Sequence, residues 1–295
     1  MGRSCTFPIS PSHVDVMKNS SLAFLVLLGA APSGEFPPWD GKESVADYGK
    51  RSGLQPTLTL DLGGVKWEGV LVPAGSFVMG SPPGEARTEK ESALETRHKV
   101  TITEPYYLGK FELTQAQYEK VMGANPSLSK GDALPVHNVS WQDAQDFCAK
   151  VTTLTGRTAQ LPTDAQWEYA CRAGTTTAYC SGSDLADLNK VGWHGGNSGG
   201  KPHPGGELQP NAWGLYDMHG NIREFVRDLF AEAALVDATD PTGPKEGDPK
   251  NHVVRGGAYT ANAAVALNCR AAVRRPTETL KITGFRMMVA VATAK

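Results

Sequence analysis

The stretch Asn211-Ala212-Trp213-Gly214-Leu215-Tyr216-Asp217-Met218-His219-Gly220-Asn221 decides how the chain is read. It combines two aromatic residues, an acidic residue and the turn formers Asn211, Gly214, Gly220 and Asn221, with neither the alternation of a strand nor the 3.6-residue period of a helix. Small residues at such places indicate a backbone bent around something. Asp217 and the later Glu224 stand out as candidate oxygen ligands. Two further blocks follow in order, Val254-Arg255-Gly256-Gly257-Ala258-Tyr259 and Gly284-Phe285-Arg286.

Around these blocks the chain has 295 residues, enough for one large domain or two small ones. A hydrophobic fraction of 40% and a charged fraction of 20% fit a soluble globular protein. The net charge of −2, from 29 basic and 31 acidic residues, argues against a nucleic-acid surface, which needs a basic excess or stripe. With 32 glycines and 20 prolines, much of the chain should be loop and turn. No pair among Cys5, Cys148, Cys171, Cys180 and Cys269 has the two-residue spacing of a zinc ribbon or thioredoxin motif. The odd count leaves disulfide pairing open.

The N-terminal region reads as an export signal that starts at Met17. Lys18 supplies a positive charge, Leu22 to Leu28 an apolar core, and Gly29-Ala30-Ala31 small residues for cleavage. That run is too short for a permanent span, so the mature chain should carry no membrane span and lie outside the cytoplasm, periplasmic or secreted. Residues 1–34 are thus assigned to an upstream segment and signal peptide. Residues 35–61, with scattered Pro, Gly and charge, are assigned to a linker. The globular domain is placed at 62–293.

Within it, Val70 to Gly80 reads as two short strands broken at Pro73 to Gly75, and His98 to Ile102 as another. Ser81 to Glu95 reads as a surface loop. Three helix starts share one chemistry: Thr114 with Gln117, Ser140 with Asp143, and Thr163 with Gln166 each place a cap hydroxyl three residues before a returning side chain. They predict helices near 115–122, 141–154 and 164–172. In the second, Trp141, Ala144, Phe147, Cys148 and Val151 share a face, which makes Cys148 a small buried hydrophobe. Residues 174–221 are predicted to be mostly turns.

Taken in order with Val72-Pro73-Ala74-Gly75-Ser76-Phe77-Val78-Met79-Gly80-Ser81, Asn138-Val139-Ser140-Trp141 and Leu161 to Ala170, the three blocks resemble the signature of the formylglycine-generating enzymes, or sulfatase-modifying factors. The resemblance covers nearly all of the globular part. It implies a single α+β domain, related to C-type lectins and rich in irregular structure. It also implies oxidation of a sulfatase cysteine to formylglycine by two cysteines, copper and oxygen. Here those two positions correspond to Ala261 and Ala266, which have no thiolate to bind a soft metal. The motif's serine is Ala258, and an expected tryptophan is Arg223. Copper is therefore not expected, and no catalytic residue is assigned.

The same resemblance implies a structural calcium site at Asp217, Gly220, Ile222 and Glu224, two carboxylates and two carbonyls of the hard-oxygen kind that calcium takes. The plainer reading is a solvated acidic turn. His194, His203 and His219 lack any metal-motif spacing. Arg255, Arg270, Arg274, Arg275 and Arg286 could line a pocket for an anion or peptide, or form salt bridges at the core edge with Glu224 or Asp228. The expected function is a pseudoenzyme that binds an unidentified protein, peptide or small molecule. The rival is an oxidoreductase of the same type with a non-standard site such as Cys269.

Overall fold

The three capping boxes form as their residues dictate. Thr114, Ser140 and Thr163 each accept a hydrogen bond from the backbone N–H three residues on, and Gln117, Asp143 and Gln166 each accept one in turn from the cap residue's own backbone N–H. The helices they start run Gln115–Met122, Trp141–Thr155 and Asp164–Arg172. Gly123 and Gly156 close the first two in the left-handed region, which glycine enters without strain. On the middle helix Ala144, Phe147, Cys148 and Val151 are buried, as the periodicity predicts.

A computed structural model describes residues 1–2, 36–85, 88–232, 236–260, 266–277 and 280–291. The export segment around Met17 to Gly34, Ala261 and the last residues of the proposed domain lie outside the described residues. Three sheets are present among them. Antiparallel pairing gives a five-stranded sheet in the order Thr57–Asp61, Lys66–Val72, Tyr106–Gly109, Met288–Ala290 and Ala159–Gln160. A second sheet runs Arg275–Pro276, His252–Arg255, Arg223–Leu229 and Thr283–Gly284, with only the last pair parallel. The third joins Gly75–Met79, His98–Ile102 and Ala238–Thr239. Strands from both ends of the sequence thus share one sheet. The main core fills with Trp167, Phe147, Phe285, Tyr106 and Leu108, all essentially inaccessible. The class is α+β with much irregular chain, as expected.

Three sequence expectations need correction. Residues 36–61 are not a tether. Val45–Ser52 is a helix capped by Ser44, and Thr57–Asp61 pairs with Lys66–Val72 along its whole length. Tyr48 is fully buried and its hydroxyl accepts from the Ala74 N–H. The prolines and charges of this segment hid a short amphipathic helix with few apolar residues. Ser81 to Glu95 is not simply a surface loop: it includes the helix Glu89–Leu94, and the Arg270 guanidinium bonds both Glu95 oxygens, at 3.1 and 3.2 Å. The turn-rich region holds an unforeseen helix, Leu185–Val191, too short to show a clear period.

If residues 36–61 belong to the folding unit, Tyr48→Ala should destabilise it by about 3 kcal/mol, the cost of emptying a buried aromatic site. Urea denaturation measures this. A tether would give a change near zero.

Candidate functional site

The Asn211 to Asn221 block is shaped by side chains that satisfy backbone groups no helix or strand would. Asn211 donates to the carbonyls of Ala170 and Cys171, at 2.7 and 3.2 Å, and accepts from the N–H groups of Trp213 and Leu215. Asp217 and Asn221 both sit at positive φ, at 58° and 60°. A Cβ on Gly220 would lie 2.1 Å from the Trp193 carbonyl oxygen, so only glycine fits there. Asn221 donates to Glu112 and to the His203 carbonyl, and accepts from the His203 N–H at 2.9 Å.

This bent chain surrounds a buried cluster of charge. Glu224 accepts from the Arg286 guanidinium through both oxygens, each at 2.8 Å, and from the Trp167 indole at 2.7 Å. Arg286 also donates to the carbonyls of Gly109 and Tyr216, at 2.9 and 3.0 Å. Glu112 accepts from the Ile222 N–H at 3.0 Å. One Asp217 oxygen accepts from the Gly206 N–H at 2.9 Å, while the other is buried and has no hydrogen-bond partner. Burial, then the charges of Glu224 and Asp217, push the Glu112 carboxyl well above its usual range. Burial raises Asp217 to about 6, and the Gly206 N–H and Arg286 offset this only in part.

Of the four residues assigned to calcium, Asp217 and Glu224 are therefore both buried in this cluster, with Gly220 and Ile222 on the turn between them. Their surroundings differ. Asp217 offers a desolvated, unpartnered oxygen, which suits a hard cation. Glu224 already has three donors on its two oxygens, so its first partner is Arg286. A solvated acidic turn is excluded, since Asp217 is 2% exposed and Glu224 fully buried. No group of three or more His, Cys, Asp or Glu side chains among the described residues is placed to hold a metal. Calcium would thus depend on Asp217 and on backbone carbonyls. Glu112 was missed in the sequence. Its one signal was a lone carboxylate in the apolar run from Tyr106 to Leu113.

The second block holds another ionic network. Arg255 donates to Asp164 at 2.5 Å and to Glu168 at 3.0 Å, Arg274 joins Asp164 at 2.8 Å, and Arg172 joins Glu168 at 2.9 Å. Burial alone would raise the Asp164 carboxyl, but the two guanidiniums outweigh it and hold it below its usual range. The arginines of the C-terminal quarter are thus mostly core ion pairs. The partner Glu224 was foreseen for one of them, whereas Asp164, Glu168 and Glu95 were not. A cavity of about 10 Å³ is lined by Arg223, Arg255, Arg275 and Asn268 beside Gly257. One Arg255 nitrogen there has no partner. The space suits a water or small ion and no organic substrate.

The thiols are not poised for chemistry. Cys269 is fully buried, and a Cβ on Gly257 would lie 2.4 Å from its sulfur. Burial pushes the thiols of Cys148, Cys180 and Cys269 up to about 12, and that of Cys171 well above its ordinary value. None of these four forms a disulfide. A protonated buried thiol is a poor nucleophile and a poor metal ligand.

Asp217 generates a pH test. Its folded pKa lies above the ordinary 3.8, so its proton favours the folded state. That stabilisation is full below the ordinary value and is lost as pH rises through about 6. With chelator present, this group should make the protein about 1 kcal/mol more stable at pH 5 than at pH 7.5. Asp217→Asn should remove that difference and leave the part due to Asp228, whose carboxyl burial and Asp164 raise to about 7. Urea denaturation at the two pH values reads it. An unchanged difference in Asp217→Asn would show that the orphaned oxygen carries no electrostatic cost.

Comparison with known proteins places this geometry. Residues 65–291 match the family described as sulfatase-modifying factor enzyme 1-like domain. Chaperone protein LppX of Paenibacillus barcinonensis is 30% identical over 206 residues, covering 53% of this chain and 69% of that protein. The formylglycine-generating enzyme of Mus musculus is 25% identical over 285 residues, covering 74% and 73%. Among solved structures, Treponema denticola variable protein 1 superposes with a TM-score of 0.70 at 25% identity, covering 80% of this chain and 99% of the other. The chain belongs to the sulfatase-modifying factor enzyme 1-like family.

Proposed function

We propose that this chain is an exported binding module of its family that has lost copper-dependent formylglycine formation. The observation that carries the reading is the loss of both thiols: Ala261 and Ala266 stand where the family's reactive cysteines would. Cys269 does not substitute for them. It is one thiol where two are needed, wholly buried and held protonated. Arg223 and Ala258 in place of tryptophan and serine extend the departure. In the second block Arg255 is paired with Asp164 and Glu168. A relative named as a chaperone is compatible with a family member that binds and does not oxidise. Incubation of the purified protein with copper, oxygen and a Cys-x-Pro-x-Arg peptide should leave the cysteine unchanged by mass spectrometry. Turnover clearly above background would establish the rival oxidoreductase.

Calcium is retained as a structural ion for this reading, held through Asp217 with carbonyls of Gly220 and Ile222 and with Glu224 as neighbour. The support is the unpartnered Asp217 oxygen and the excess of carboxylate over guanidinium around Arg286. A divalent cation would keep Asp217 ionised, so saturating calcium should abolish the pH difference assigned to it above. A pH difference that ignores calcium would remove the ion from the account.

Export rests on the order of Lys18, the apolar run Leu22 to Leu28 and the small residues after it. Among the described residues no helix is long and apolar enough to cross a membrane. N-terminal sequencing from the native host should find a mature chain starting near Ala31 to Gly34. An intact Met1 in a cytoplasmic fraction would refute it.

A further inference from the structure

The cavity beside Gly257, about 10 Å³, brings Arg223, Arg255 and Arg275 together with Asn268 over two valines, Val254 and Val273. The sheet explains the meeting. Arg275 stands on the Arg275–Pro276 strand directly across from Val254, one residue before Arg255. Arg223 starts the strand on the other side, where Glu224 pairs with Arg255. Three cationic residues from three neighbouring strands thus border one space. Arg255, 1% exposed, spends Nε on Asp164 and Nη1 on Glu168 and on the carbonyls of Ala271 and Val273. Its Nη2 is buried and has no partner in the protein. Arg275 donates through Nη2 to the Asn268 side-chain oxygen at 2.6 Å, and that nitrogen lies 3.7 Å from Glu91. The Nε of Arg275 is likewise buried with no partner in the protein. Two guanidinium nitrogens from different strands are therefore desolvated donors on residues that line the same cavity.

Leaving a buried charged donor without an acceptor is more costly than leaving a neutral one, so each nitrogen calls for an acceptor. The lining offers little. Its side chains are three guanidiniums, an amide and two valines. The amide oxygen is committed to Arg275, and the Val273 carbonyl to Arg255. A water could accept from both nitrogens, but its own two hydrogens would then need acceptors among groups already engaged. A monoatomic anion accepts from every side and donates nothing. Charge-assisted hydrogen bonds to it are stronger than those to a neutral oxygen. The volume is about that of one water-sized sphere, which admits a halide and excludes phosphate, sulfate and organic acids.

We infer that this cavity is a binding site for a halide ion, chloride under ordinary conditions, held between Arg255 Nη2 and Arg275 Nε. By accepting from both nitrogens the ion ties the Arg275–Pro276 strand to the His252–Arg255 strand, next to the Gly256–Gly257 turn. The site is independent of the binding-module reading: formylglycine formation is read by peptide mass, and this site by the response to halide.

The test uses the full chain, with urea denaturation in sodium chloride compared with sodium gluconate at equal ionic strength. Chloride should stabilise the protein saturably. At a tenfold excess over its dissociation constant it should raise the folded-to-unfolded ratio about elevenfold, and bromide should act alike. Arg275→Met, at a side chain 30% exposed, should fold and lose this gain. In wild-type crystals grown with bromide, anomalous scattering should place one ion within hydrogen-bond reach of both Arg255 Nη2 and Arg275 Nε, a readout that needs no variant. A water or a side chain of the protein between those two nitrogens overturns the inference. So does a chloride gain that Arg275→Met retains. An anomalous peak without any gain in solution would mark an adventitious ion only, and overturns it as well.

Discussion

The bidentate pair between Arg286 and Glu224 is the interaction on which the irregular half of this protein depends. One guanidinium reaches the carboxylate, the carbonyl of Gly109 in the five-stranded sheet and the carbonyl of Tyr216 in the bent block. Trp167, on a capped helix, closes the carboxylate from a third side. Loops lack the repeating backbone bonds of helices and strands, so their polar groups need partners from elsewhere. Here buried side chains supply them. Asn211 and Asn221 do for neutral groups what Arg286 does for charged ones. Such a hub gives little net stability over an apolar core, but removing one half leaves a desolvated charge, which is why it fixes one arrangement.

The same logic repeats around Arg255, where Asp164 and Glu168 connect a helix to a strand of the second sheet and, through Arg172, to Gly80. The two networks differ in balance. Around Asp164 and Glu168 three guanidiniums, Arg172, Arg255 and Arg274, face two carboxylates. Around Arg286 the carboxylates Glu112, Asp217 and Glu224 outnumber it, and burial, together with this excess, raises the pKa values of Glu112 and Asp217. A proton or a cation is the physical remedy for that excess.

What the sequence disclosed follows from the range of each interaction. The caps at Thr114, Ser140 and Thr163 were legible because both partners lie within four residues. The strands at Val70 to Gly80 were legible from alternation and a Pro-Gly break. The helix Val45–Ser52 was not, because Tyr48 and Val45 alone carry its apolar face and find their partners across the chain. At the candidate site the residue types were readable and their pairing was not. Glu224 drew notice as an oxygen ligand, yet its partner Arg286 is 62 residues away. Glu112 is 110 residues from Ile222 and left no local trace beyond a charge in an apolar run. The absence of a thiol at 261 and 266 was plain at once, being a property of single residues.

A Cβ on Gly256 would lie 3.4 Å from the Trp167 ring, whose indole donates to Glu224, and the preceding residue, Arg255, pairs with Asp164 and Glu168. The most direct test is a double-mutant cycle by urea denaturation on Glu224→Gln and Arg286→Met. If their pair is the hub, each single substitution should cost about 3–5 kcal/mol, and the double variant should cost well below the sum because neither charge is then stranded. Single costs under about 1 kcal/mol that simply add would show that the bent block holds itself together without the pair.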